Sequence, residues 1–378
     1  MRSERTHIYY FDYLRLLASV CVVYMHIAAT PLRNAINTHW HLINLCTSLG
    51  FTAVPLFFMM SGYLLLTDEK TTNVSILLRH RIPHLFVPLV TWTCVITLLY
   101  SFLFNDMTTS FYSRSLISAL NTPISVHLWF LYTLIAIYII SPVIYGGIKN
   151  LDKAGHILVI SLISLVSLRT IVQILLPDHL DTLLNIDLLS KIEFFGGHLC
   201  TFILGYYLGN IKKNIPNSLL IFSAVSLLLI ITLGTYWFTI KNGFYDQTFQ
   251  NQASGFEIIL ASLIFLIFKQ NFNYPCKRID FKPMVTLTFA IYFIHMPLID
   301  ILNRTSVRNT TFVDTLVITV SLFVISYLIM KTATSIKPIC FVFTGLSFNK
   351  ASKSCNWIYT FTKLKQKRTN SDIKEKTN

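Results

Sequence analysis

Stretches of about twenty apolar residues recur along the whole chain, and this spacing matches the thickness of a lipid bilayer. A hydrocarbon core about 30 Å thick is crossed by a helix of roughly 20 apolar residues. Ten such runs lie near residues 11–31, 44–66, 82–104, 128–148, 156–176, 194–211, 218–240, 255–269, 284–302 and 313–335. The least regular are the sixth, with Gly196, Gly197, Gly205 and Gly209, and the short eighth. Hydrophobic residues make up 53% of the chain and charged residues 13%, against about 25% charged in an ordinary soluble domain. The expected fold is therefore all-α, a polytopic transmembrane helical bundle of about ten helices.

Charge placement orients this bundle. Loops on the cytoplasmic side of a membrane are enriched in Lys and Arg. With the N-terminus inside, the inside segments hold 23 of the 31 basic residues and the outside loops 6; Arg15 and Arg169 fall within apolar runs. Both termini are expected to be cytoplasmic. The net charge of +14 sits mostly in the inside loops and the stretch 350–376, where anionic headgroups are the natural partner, so no nucleic-acid partner is expected. Seven cysteines (Cys21, Cys46, Cys94, Cys200, Cys276, Cys340 and Cys355) show neither paired nor metal-like spacing. They read as small buried hydrophobes, and no metal is expected. The first apolar run is interrupted by charge and followed by no small-residue cleavage site, so it is expected to stay in place. Residues 1–337 read as one transmembrane domain and 338–378 as a basic cytoplasmic tail, partly disordered. The longest outside loops, 105–127 and 177–193, leave little room for an external catalytic domain, so chemistry belongs within the bundle or at its mouths.

Ionisable groups inside a membrane are costly and usually face the bundle interior or a water-filled cavity. The first run, FDYLRLLASVCVVYMHIAA, carries Asp12, Arg15 and His26. At about 100° per residue, Arg15 and His26 point within roughly 20° of each other, Asp12 lies about 40° from His26, and Ser19 falls on the same stripe. His26 stands about 16 Å deeper than Arg15. A guanidinium stays charged and suits phosphate, and an imidazole can serve as general base. The spacing equally allows Asp12 to anchor Arg15 and His26 to bond a neighbouring helix. Arg79 and Arg81, in LLRHRIPHLFVP, stand before the third run on the side of Arg15. They suit the phosphates of a CoA-like donor, although cytoplasmic placement alone also explains them.

Other groups are weaker candidates. SVHLWFLYTLIAIY supplies His127, Trp129 and Tyr132, where an interfacial aromatic belt is also expected. FAIYFIHMPLID places Tyr292 and His295 in neighbouring directions, with Pro297 expected to kink or unwind the helix. Arg169 should have a partner in its run, and Glu193 and Asp300 are possible partners or acceptor-site groups.

These residues resemble the acyltransferase-3 group of bacterial inner-membrane O-acyltransferases. The likeness begins with FDYLRLLASVCVVYMH, where Arg15 and His26 reproduce a basic residue, ten residues, then histidine. It continues through VPLFFMMSGYLLL, with Phe57, Phe58, Ser61 and Gly62, and through RHRIPHLFVPL, HLWFLYTLIAIYIISPVI and TFAIYFIHMPL in order. The resemblance implies acetyl-CoA as donor and a sugar hydroxyl as acceptor, on the O antigen, the common antigen or an exopolysaccharide, the sugar free or lipid-linked. It implies His26 as catalytic base or acyl relay, Arg15 as a group holding the donor or the transition-state charge, and Arg79 and Arg81 as CoA-phosphate contacts. A glycan transporter or flippase without covalent chemistry, and a succinyltransferase using the same residues, are the competing readings.

Overall fold

A computed structural model describes residues 7–34, 36–103, 108–175, 187–276, 280–364 and 366; the side chains of 109–110, 169–170, 173–175 and 187–196 lie outside that description. All regular structure among the described residues is helical. The helices are α1 (Tyr9–Leu32), α2 (Thr38–Gly50), α3 (Ala53–Leu66), α4 (Pro83–Leu103), α5 (Thr109–Ser118), α6 (Trp129–Asn150) and α7 (Lys153–Leu175). They continue as α8 (Asp187–Asn210), α9 (Asn217–Asn242), α10 (Gly255–Asn271), α11 (Lys282–Leu302), α12 (Phe312–Ala333), α13 (Lys337–Thr344) and α14 (Phe348–Ser352). Among the described residues, seven helical segments are long and apolar enough to cross a bilayer: Tyr9–Leu32, Thr38–Leu66, Val74–Leu103, Val126–Asn150, Asn217–Asn242, Lys282–Leu302 and Phe312–Ala333. The three other runs expected to cross are helical as well, forming α7, α8 and α10. The chain is a multi-pass membrane protein.

Three local features bear on these expectations. The second run begins earlier, at Thr38, and is interrupted at Phe51 and Thr52. Pro55 removes the hydrogen bond to the Phe51 carbonyl and its ring crowds that carbonyl, which places the break where it is. The start is fixed by Asn37, whose side chain accepts from the N–H groups of His39 and Trp40 at 2.9 and 3.0 Å, a normal N-cap. Helix α11 does not unwind at Pro297 but runs through it to Leu302. Finally, the stretch expected as a tail from residue 338 carries α13 and α14 before reaching residues 367–378, which lie outside the description.

The chain divides into two compact units. The first comprises residues 1–79, 132–275 and 306–320. Its core joins Tyr10, Phe11 and Leu14 of α1 to Leu56, Met59 and Met60 of α3 and to Phe265 of α10. Phe11 meets Tyr63 edge-on at 5.6 Å and tilts toward Phe265 at 6.0 Å. Helices in lipid gain little from hydrophobic burial and rely on close packing of small residues, and the α3–α8 seam shows this directly. A Cβ added to Gly62 would lie 1.7 Å from the Phe202 carbonyl oxygen, one on Gly205 2.0 Å from that of Met59, and one on Gly209 1.9 Å from the Tyr63 ring. The glycines that made the sixth run irregular are what let two backbones touch.

The second unit comprises residues 80–131, 276–305 and 321–378. Trp92 of α4 stacks on Phe293 of α11 at 6.0 Å, and its indole N–H donates to the Phe343 carbonyl at 2.9 Å. The His84 ring donates through Nδ1 to the Gly345 carbonyl at 2.5 Å. Gly345 ends α13 at φ 67°, and a Cβ there would meet the His84 carbonyl oxygen at 2.3 Å, so both the left-handed backbone and the close approach require glycine.

Candidate functional site

Helix α1 carries the polar stripe of the first unit. The Arg15 guanidinium is 33% exposed and lies 3.5 Å from the carboxylate of Asp12, one turn earlier. Asp12 also meets the His7 ring at 2.6 Å. Arg15 stands over the Phe11 ring, 5.9 Å from its centroid, and Tyr138 of α6 is within electrostatic reach. A guanidinium has five N–H donors, and a single pair at 3.5 Å uses few of them. His26 is half-buried. The pairing of Arg15 with Asp12 that the spacing allowed is present, and among the described residues it engages few of the guanidinium's donors.

An ionisable group that the sequence reading passed over lies on α10, a helix packed on α1 through Phe265. Tyr9 of α1 donates through its N–H to Asn273, just past the end of α10, at 3.1 Å, and the Tyr13 ring lies 6.1 Å from that of Phe272. The start of α1 therefore adjoins the end of α10, and the two helices are antiparallel. Eight residues back along α10 from Phe265, about 12 Å, is Glu257; the same climb along α1 from Phe11 reaches Ser19. Glu257 is fully buried, and among the described residues neither of its carboxyl oxygens has a hydrogen-bond partner; the same is true of the Ser19 hydroxyl. The signal was legible, since GFEIILASLIF places one acidic residue in an apolar run. His198 of α8 was also missed: it is buried and stacks on Phe58 of α3 at 4.9 Å.

The second unit gathers three residues read from two separate motifs. The His127 ring lies 5.1 Å from that of His295 and 5.3 Å from that of Tyr292. The Tyr292 hydroxyl donates to the His127 carbonyl, and the His295 ring donates through Nδ1 to the Tyr292 carbonyl at 2.6 Å. The Ser125 hydroxyl is 3.0 Å from Nδ1 of His127. Both imidazoles are buried, held by bonds to backbone and hydroxyl, which is the arrangement of packed histidines as well as of a base kept in one orientation. Nearby in the sequence, Tyr100 donates to Asp300 at 3.0 Å, so Asp300 has a partner of its own. Trp129 is half-buried beside Phe130, with ring centroids 6.3 Å apart.

The remaining candidates are not drawn into either cluster by any contact described. Arg79 is exposed and Arg81 half-buried, both in a π turn spanning Leu77–Arg81. Ser61 is half-buried on α3, next to the glycine that meets α8. The side chains of Arg169 and Glu193 lie outside the described residues. Among the described residues no group of three or more His, Cys, Asp or Glu side chains could hold a metal ion. A family model described as an acyltransferase domain, Acyl_transf_3, matches residues 8–331. No curated protein and no solved structure matches the chain.

Proposed function

Because the chain belongs to the acyltransferase-3 family and is an acyltransferase, we propose that it moves an acetyl group from acetyl-CoA to a sugar hydroxyl of a bacterial surface polysaccharide. In this reading it is an inner-membrane protein with about ten crossings and both termini in the cytoplasm, as the distribution of basic residues favours. The observation that carries the assignment is α1 itself. One helix presents a guanidinium with spare donors and, about 16 Å further along the same side, a half-buried imidazole.

The chemistry follows from those two groups. His26 takes the proton of the acceptor hydroxyl as its oxygen attacks the thioester carbonyl. The carbon–sulfur bond breaks, and the CoA thiolate leaves with that proton, returned by the imidazolium. Arg15 meets negative charge, either on a donor phosphate or on the tetrahedral oxyanion. Arg79 and Arg81, in the turn preceding α4, are assigned to the CoA phosphates. Asp12, Ser61, Trp129, Tyr292 and His295 are further candidates.

His26→Ala tests this reading. Removing a general base should lower turnover by about 10²–10⁴-fold, seen as loss of acetyl groups from surface glycan by mass spectrometry, with membrane insertion unchanged. Unaltered glycan acetylation by an inserted His26→Ala protein would overturn the assignment, and altered glycan export with acetylation intact would favour a transporter.

A further inference from the structure

An open groove of about 680 Å³ runs along the first unit between α7, α8 and α10. Its walls are Ile160, Ser164 and Ile171 of α7, Leu204 and Leu208 of α8, and Leu263 of α10, with their neighbours. Eleven of its fifteen lining residues are Ile or Leu, and two of its four serine hydroxyls are bonded back to their own helix: Ser164 donates to the Ile160 carbonyl at 2.9 Å and Ser262 to that of Ile258 at 2.7 Å. Hydroxyls bonded back to their own helix leave a lining that is apolar in effect, unsuited to a sugar and suited to hydrocarbon. The lining residues Leu165, Leu168 and Ile259 and the nearby Leu158 and Leu162 are exposed, so the groove opens on the face that lipid covers.

Length and charge identify the occupant. From Ile160 to Ile171 the groove extends about 16 Å along α7, close to half of a hydrocarbon core about 30 Å thick. One leaflet is the depth of a single acyl chain. The end of the groove near Leu208 and Leu266 is basic. Lys269 donates to the carbonyls of Leu208 and Ile211 at 2.9 and 2.6 Å, and Lys149 lies over the ring of Tyr206 at 5.7 Å. Lys153 stands seven residues before Ile160, on the same side of α7 and about 10 Å beyond the groove. Lys212 and Lys213 follow α8 directly, while the acid at this end, Asp152, is engaged with the Gly155 N–H at 2.7 Å. The geometry points to a bound phospholipid: one acyl chain lies in the α7–α8–α10 groove and its anionic headgroup meets the lysines at the start of α7.

The site is independent of the acyl-transfer assignment and needs only the membrane location. Its test is native mass spectrometry of the purified full-length protein titrated with phosphatidylglycerol or phosphatidylcholine, together with cross-linking by a phosphatidylglycerol bearing a diazirine in its acyl chain. One phosphatidylglycerol should be retained several-fold more strongly than phosphatidylcholine, with cross-links concentrated on α7, α8 and α10. Ser164→Trp, on an exposed position, or the milder Leu263→Phe should fill the groove and abolish retention. Leu229→Trp, on the exposed face of α9, should leave it intact. Lys153→Gln should reduce the preference for the anionic headgroup while chain binding persists. Cross-links spread evenly over the lipid-facing helices, retention unaffected by both groove-filling variants, or displacement of phosphatidylglycerol by a polyprenyl phosphate at equal concentration would each overturn the proposal.

Discussion

Two side chains on one helix carry the proposed chemistry, and their environments predict different tolerances. Arg15 contacts Asp12 at 3.5 Å and is assigned a second anion that a planar fork recognises better than a point charge. Arg15→Lys should keep the charge yet lose a charge-assisted hydrogen bond, about 1.5–3 kcal/mol, raising KM for the acyl donor by about tenfold or more. Steady-state kinetics with varied acetyl-CoA checks this, and an unchanged KM would place Arg15 in the structural role its pairing with Asp12 also permits. Glu257 is the opposite case. A buried carboxyl with no hydrogen-bond partner among the described residues costs about 1–3 kcal/mol, so Glu257→Met should raise the thermal midpoint in detergent by a few degrees. Retention of such a costly group inside a membrane is typical of functional positions, and the same variant should lower turnover. Arg15 and His26 stand out in the sequence because they are ionisable groups inside an apolar run. Glu257 stands out in the same way, but its relation to Ser19 depends on the antiparallel pairing of α1 and α10, which no local pattern reveals.

At the scale of elements, the apolar runs became helices where length and periodicity indicated, and the departures have backbone causes. The break between α2 and α3 follows from Pro55, whereas α11 runs on through Pro297. Helix α13, at the start of the stretch read as tail, is held by Trp92 and His84, distant in sequence. The irregular glycine-rich sixth run became the most closely packed partner of α3. Gly205→Ala tests that reading. Its Cβ meets backbone rather than a flexible side chain, so the cost should reach or exceed the upper end of the 1–3 kcal/mol of ordinary overpacking. Thermal unfolding followed by tryptophan fluorescence should show a large drop for Gly205→Ala and little change for Gly147→Ala, where an added Cβ meets nothing within 4 Å.

For the whole molecule, orientation rests on charge. Cytoplasmic retention of Lys- and Arg-rich segments predicts that a fluorescent protein fused after residue 378 glows and that a periplasm-dependent phosphatase fused there is inactive. The reverse pattern would invert the membrane and with it the side of entry proposed for the acyl donor. Membership of the family and the helical, membrane-spanning character were readable from composition and motif order, because both are properties of the chain summed over its length. The gathering of His127, Tyr292 and His295 was not, because it joins segments more than 160 residues apart.

The glycine seam between α3 and α8 has a mechanical meaning as well. With carbonyls filling the space where side chains would otherwise slide, neither rod can rotate or ratchet past the other without collision, so the pair behaves as one stiff beam. Any rearrangement during turnover must hinge away from that beam, and cross-linking the two helices with paired cysteines should leave catalysis intact.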